Sequence, residues 1–295
     1  MKYFTTLSDK NYKLQGFTLF KSLLDTSSEE FVLYYLCMDD ETYNDILNIN
    51  KYHNNIIGIK LSDLESKFED LQTTKSNMRY DEYCWACASW FSNYLIKNYE
   101  IDHITYIDTD ILFLKDPQII YDVIGDKSVG IHEHKNLTEK SPYGKYNVGV
   151  IHFKSDEVGL EVLNWWSDAV MNKKYPEFAT CGDQKYLEGF APRFGDENIS
   201  VFDSGVGHGA PWNWRLFVYE YFNDDGTVVW GNIRQPLVFV HFSQFGFDLD
   251  TDNIDPSSGK YPDHTLNFQV FNIPEVKQIY VDYFNKLKEV RSMWL

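Results

Sequence analysis

The chain has 295 residues, 43% of them apolar, and a formal net charge of −17. That length and composition fit a globular α/β chain with a large core, not a disordered one. The acidic balance argues against nucleic acid, whose phosphates call for clustered Lys and Arg, and it leaves any bound diphosphate in need of a metal or local cations.

The first half alternates strand and helix. Tyr3 to Leu7 reads as a strand, and Tyr12 to Leu24 as a helix with Phe17, Leu19, Phe20, Leu23 and Leu24 on its apolar stripe. Phe31 to Met38 is a continuous apolar run of the buried-strand type, Asp40 to Ile49 a short helix, and Ile56 to Leu61 another strand. Tyr80 to Lys97 is a long aromatic helix leading into the strand Ile104 to Ile107. This order implies a mostly parallel central sheet with helices on both faces. Ligands in such sheets bind beyond the carboxyl ends of the strands, where Thr5 to Asp9 and Asp108 to Asp110 both fall.

The second half is less regular. Tyr146 to Phe153 reads as a strand, Gly159 to Met171 as a helix, Val238 to Phe242 as a short buried strand, and Pro274 to Met293 as a closing helix. Residues 203–214 and 246–264 are long loops, a class that often carries function. With no internal repeat or low-complexity linker, one domain is expected over 1–295. Its two halves would be 1–115 and 116–270, with 274–293 the C-terminal helix.

The run His103 to Leu114 carries most of the chemistry, because an apolar strand ends in Asp108 and Asp110 at i and i+2. Side chains so spaced project to one side of a strand, and paired acids there suit a hard divalent cation. An acidic turn at a strand end is the plain alternative. His241 closes another buried strand and is a candidate third ligand, although a lone His there is more often a satisfied core residue. Asp183 and Gln184 begin an apolar helix, where Asp183 also fits a simple N-cap. The four cysteines, Cys37, Cys84, Cys87 and Cys181, are scattered and suggest a reducing compartment. Cys84 and Cys87 have CxxC spacing but lack the second pair zinc would need, so packing is expected of them. The N-terminus is too polar for a signal peptide, and no apolar run reaches membrane-spanning length, so a cytoplasmic protein is expected. Gly207 to Arg215 fits either a sugar-binding wall or a tight turn with Trp212 and Trp214 in the core. The last helix carries Lys277, Lys286, Lys288 and Arg291 among aromatics, so it either touches an anionic membrane or packs on the sheet with a solvated basic face.

In order, Tyr83 to Trp85, Asp108 to Asp110, Tyr146 to Gly149, Gly182 to Leu187, Ala210 to Asn213 and His241-Phe242 resemble a known family. The chain looks like a GT-A fold (nucleotide-diphospho-sugar transferase) glycosyltransferase of the retaining family 8 type. That group includes glycogenin and lipooligosaccharide galactosyltransferases, and the likeness is strongest to bacterial polysaccharide-locus members. The resemblance implies a retaining hexosyl transfer from a nucleotide-sugar donor, with UDP-sugar favoured, to a glycan or lipid-linked acceptor. It implies that Thr5, Thr6 and Leu7 line the base and ribose pocket and that Tyr12 stacks on the base. Asp108, Asp110 and His241 would bind Mn²⁺ or Mg²⁺. Thr109 and Arg79 would join the donor site, Asn147 and Asp183 would hydrogen-bond the donor sugar, and Gln184 would lie near the anomeric carbon. His208, Trp212 and Asn213 would face the acceptor. Members usually carry a Lys a few residues after the metal-binding His. Here Phe242 to Asp248 contain none, which leaves the diphosphate to Lys75, Arg79, Arg215 or Lys260. A sugar nucleotidyltransferase would be expected to carry a Gly-rich basic loop after the first strand, and Leu7 to Tyr12 has no Gly. A binding protein with a degenerate transferase site is the reading outside enzymes.

Overall fold

The computed structural model describes residues 1–135, 143–178, 182–214, 226–230, 233–255 and 271–295. Arg215, Lys260, Cys181 and most of the 246–264 loop's second half lie outside the described residues.

The N-terminal half follows the expected alternation. Strands β1 (Lys2–Ser8), β2 (Phe31–Cys37), β3 (Ile56–Lys60) and β4 (His103–Ile107) are interleaved with helices α1 (Lys13–Thr26), α2 (Asp40–Asn50), α3 (Leu61–Glu65), α4 (Glu69–Asn77) and α5 (Tyr80–Asn98). They join β6 (Val129–Glu133), β7 (Tyr146–Lys154) and β8 (Ile199–Val201) in a seven-stranded sheet of order β3-β2-β1-β4-β7-β6-β8. β3, β2, β1 and β4 run parallel. β7 is antiparallel to both β4 and β6, and β8 returns parallel to β6. The sheet is thus largely parallel, and its sense changes beside β4, where ligand clefts form in such sheets.

One face is covered by α5 and α7 (Glu157–Met171), whose Phe91, Leu95, Leu163 and Trp166 pack on Ile104, Ile151 and Phe153. The other face is covered by α1, α2 and α6 (Gln118–Ile124), with Phe17, Phe20, Ile46 and Ile120 against Phe4, Leu33 and Ile107. A smaller sheet of β5 (Ile111–Phe113), β9 (Gly207–Gly209), β10 (Thr227–Trp230) and β11 (Ile233–His241) lies beside β4. The closing helix α8 (Pro274–Trp294) packs Tyr280, Tyr283 and Leu287 under that sheet. Three of its cations are engaged by acids of the body: Lys286 by Asp25, Lys288 by Asp252 and Arg291 by Asp250. Those pairings favour the packed reading of this helix over the membrane one. No helix among the described residues is long and apolar enough to cross a membrane.

Candidate active site

A cleft of about 720 Å³ opens beyond the carboxyl ends of β1 and β4. Two short strands and a turn build its floor. β4 ends at Ile107, the backbone turns through Asp108 to Asp110 with Ile111 N–H donating to Asp108 O at 3.2 Å, and β5 begins at once. The two carboxylates therefore flank a turn between two strands. They do not lie at i and i+2 along one strand, and the turn is what faces them the same way. β5 pairs antiparallel with β11, setting His241 opposite Ile111, and Phe242 N–H donates to Asp110 O at 2.8 Å. This register brings His241 Nε2 to 3.0 Å from Asp110 Oδ1 and 3.7 Å from Asp108 Oδ2. One ligand atom from each residue falls within 4.8 Å of the others.

The electrostatics of this trio are unbalanced. Burial lowers the His241 imidazole's affinity for a proton, but Asp110 and Asp108 outweigh it and hold the pKa above the ordinary histidine value. Burial raises the Asp108 pKa, Asp110 adds to the rise, and His241 offsets only part. Tyr106, two residues before Asp108, donates its hydroxyl to Asp108 Oδ1 at 2.7 Å and fixes the carboxylate. Two carboxylates and an imidazole converging from three segments make a donor set that suits Mn²⁺ or Mg²⁺. His241 Nδ1 is buried without a hydrogen-bond partner, so Nε2 is the nitrogen turned to the acids.

Close behind stands Gly149. A Cβ there would lie 2.7 Å from Asn147 Oδ1 and 2.9 Å from His241 Nδ1, so only glycine lets β7 approach the trio this closely. Asn147 accepts from Gly149 N–H at 2.8 Å and donates to Gln184 Oε1 at 2.8 Å, and Gln184 Nε2 donates to Tyr143 O at 2.7 Å. This chain of amides fixes Gln184 with its oxygen towards Asn147. Asp183 is almost fully buried, and burial, then the negative charge of Asp108, pushes its pKa well above the usual carboxylate range. It precedes a 3-10 turn, Gln184–Gly189, where an apolar helix was expected, and its side chain makes no capping bond.

The cleft wall holds most of the residues singled out from the sequence: Leu7, Tyr12, Arg79, Asp108, Thr109, Asp110, Asn147, Asp183, Gln184 and His241. Thr5 and Thr6 are fully buried within β1, off that wall, and the strand meets the cleft from Leu7 onward. The three acceptor candidates are also set back. His208 Nε2 contacts Asp203 Oδ1 at 3.0 Å, and Asn213 accepts from Ala210 N–H at 2.7 Å. Trp212 donates to His134 O at 2.6 Å while its ring stands edge-on 5.3 Å from His241. These are supports behind the site, because each turns its polar atoms into the protein. Lys75 pairs with Glu65 and stands off the cleft wall, whereas Arg79 sits at its mouth. Cys84 and Cys87 sit in α5 with thiol pKa values raised by burial, that of Cys84 to about 12, which fits packing and not metal binding.

Sequence reasoning missed Tyr106, Lys173 and a second polar cluster. Tyr106 was legible as a hydroxyl two residues before Asp108 on one strand face. Lys173 follows α7 with φ 46°, and its ammonium reaches Glu82 at 3.0 Å on the cleft lip. The cluster comprises Lys135, Asp203, His208 and His132. Lys135 Nζ lies 2.8 Å from Asp203 Oδ1, and the His132 and His208 rings are 4.6 Å apart.

No family model matches the chain. Two uncharacterized proteins of Bacillus subtilis (strain 168) are similar in sequence. YfnF is 29% identical over 258 residues, covering 82% of this chain and 81% of its own. YfnD is 25% identical over 295 residues, covering 97% and 88%. Among solved structures, the galactosyltransferase LgtC, in complex with donor and acceptor sugar analogs, aligns over 97% of this chain and 95% of its own. Its TM-score is 0.61 at 14% identity. Mouse xyloside xylosyltransferase 1 in its apo form aligns over 86% and 99%, with TM-score 0.54 at 12% identity. The chain has the GT-A glycosyltransferase fold, as the motif order implied.

Proposed function

We propose that this protein is a metal-dependent glycosyltransferase that moves a hexose-type sugar from a nucleotide-diphosphate donor to a hydroxyl acceptor. The observation that carries the reading is the convergence of Asp108, Asp110 and His241 on the floor of a large cleft. Mn²⁺ or Mg²⁺ held there would neutralise charge on a departing diphosphate, which is the main electrostatic demand of the reaction. Tyr12 and Leu7 offer a platform and edge for the base, with uridine favoured by the family likeness. Asn147 and Asp183 orient the sugar. In its protonated form, which burial and the Asp108 charge favour in the metal-free site, Asp183 is a hydrogen-bond donor for a sugar oxygen. Gln184, its amide fixed by Asn147 and Tyr143, presents a polar group of set orientation to the anomeric carbon. Retention, cytoplasmic placement and a role in surface-glycan synthesis follow the same likeness.

Diphosphate contacts differ from the usual pattern. In place of a Lys after His241 the described cleft holds Arg79, paired with Asp81 and Glu82, and Lys173, paired with Glu82. That difference also supports a second reading, a nucleotide-binding protein without turnover. Release of UDP from UDP-hexose in the presence of Mn²⁺, measured for the wild type and Asp110→Ala, separates the two. The transferase reading expects metal-dependent release that the variant abolishes. Tight nucleotide binding with no release from any common UDP-hexose favours the second.

A further inference from the structure

Trp85 is the most exposed of the described tryptophan side chains, whereas Trp165 and Trp294, which also make no indole N–H bond, are packed among aromatic rings. Trp90, Trp166, Trp212 and Trp214 each spend the indole N–H on a protein acceptor: Asp70, the Asp183 carbonyl, the His134 carbonyl and the Tyr280 hydroxyl. Trp85 makes no such bond among the described residues, and it is 36% exposed on the cleft wall. An exposed indole leaves its N–H and part of its ring open to a ligand. It is also held in place. Gly182, at φ +58°, lies so close that a Cβ on it would fall 2.7 Å from Cε3 and 2.9 Å from Cδ2 of the indole. That left-handed glycine immediately precedes Asp183 and Gln184. The ring is therefore packed against the backbone that carries the two residues assigned to the sugar.

The polar capacity of that end of the cleft is already partly used. The Asn147 oxygen is bonded to Gly149 N–H, and Asn147 and Gln184 are bonded to each other. Met78, Val148 and Val170 add apolar surface to the same cleft wall. A hexose has one face of C–H bonds and an equator of hydroxyls. An indole matches both parts, with its ring for the C–H face and its N–H for a hydroxyl.

We infer that Trp85 is a specificity-determining platform on which the donor's sugar ring stacks, so that the sugar half is recognised by its apolar face as well as by hydroxyl contacts. The inference rests on the transferase reading and deepens it. It requires a ring at position 85 and places that contact on the sugar, away from the nucleotide.

The test is calorimetric titration of wild type, Trp85→Phe and Trp85→Ala with UDP and with UDP-glucose, UDP-galactose and UDP-N-acetylglucosamine, all with Mn²⁺. The platform predicts that Trp85→Ala weakens the sugar nucleotide that wild type binds best about tenfold, while UDP affinity stays within about twofold. Trp85→Phe, which keeps a ring and loses the N–H, should fall between. Melting curves identify a variant that fails to fold, and Trp85→Phe then carries the comparison. Equal losses for UDP and the sugar nucleotide would overturn the platform, as would no loss for either. If wild-type protein binds none of these nucleotides with Mn²⁺, the transferase reading fails and takes the platform with it.

Discussion

Two polar clusters near Trp212 differ in how their charges are matched. At the cleft floor, the carboxylates of Asp108 and Asp110 converge on one imidazole, that of His241. Behind it, Asp203 is shared between Lys135 and His208, so charge is matched within the protein. Trp212 stands edge-on to His241 and is tilted over His134, the chain neighbour of Lys135, at 4.5 Å. The titration behaviour follows. Burial alone would raise the Asp203 pKa, but His208 and Lys135 more than offset it and hold the carboxyl well below the usual range. Asp183, shifted by burial and then by the Asp108 charge, moves the other way. A matched cluster serves the fold. An unmatched one costs stability and is kept for a ligand that completes it.

The contrast is sharpest in the two clusters' aspartates. Asp203→Ala removes the carboxylate that Lys135 and His208 share, and should destabilise the protein by about 3 kcal/mol in urea unfolding. Asp110→Asn should leave stability unchanged or higher, and lower Mn²⁺-dependent nucleotide affinity roughly 100-fold or more. If Asp110→Asn unfolds the protein instead, the floor is structural and the contrast is lost.

Gly149→Ala tests how tightly the fold serves the floor. Its methyl must displace His241 or Asn147, so metal affinity should drop about tenfold with nucleotide-independent folding retained. An unaltered affinity would show that β7 can yield without moving the histidine.

Opposite pKa directions give opposite pH signatures. Asp203 has a lowered folded pKa, so its contribution is present above the unfolded value of about 3.9 and is lost as pH falls through the folded one. Asp183 has a raised folded pKa, so the metal-free protein loses stability as pH rises from about 3.9 through that value. Asp183→Asn should therefore raise the melting temperature at pH 8 by roughly 1–2 °C, the shift about 1 kcal/mol gives in a chain of this size, with a smaller gain at pH 5. A lowered melting temperature at pH 8 would mean that the carboxylate is compensated after all. Manganese affinity should also climb as pH rises from about 6.5, because His241 ligates only when neutral and holds its proton above the ordinary value.

The smallest effect belongs to the C-terminal helix. Lys288→Ala breaks an exposed pair with Asp252 and should cost no more than about 0.5 kcal/mol.

How much of this was legible in the sequence divides along the same line. Parallel strands buried on both faces read as apolar runs, so β1, β2, β3 and β4 were placed within a few residues. The acids and His241 were found because polar residues at the ends of such runs stand out. β6, by contrast, is Val-Gly-Ile-His-Glu, too short and too polar for an apolar run, and it went unassigned. Lys135 and Asp203 went with it, since 68 residues separate partners that only the β6–β8 pairing brings together. Trp212 and Asn213 looked like acceptor residues because sequence shows residue type and not where the polar atoms turn. The Asp108–Asp110 turn was read as one strand because β4 and β5 are joined through so short a bend that the apolar pattern barely breaks.

The central claim is that Asp108, Asp110 and His241 at the cleft floor hold a cation that helps bind a nucleotide. The most direct measurement is calorimetric titration of the wild-type protein with UDP, GDP and dTDP, each with Mn²⁺ and again after EDTA. The account predicts binding of one nucleotide, UDP, that disappears with EDTA and returns with Mn²⁺. Binding that ignores EDTA, or no binding of any nucleotide, would contradict it.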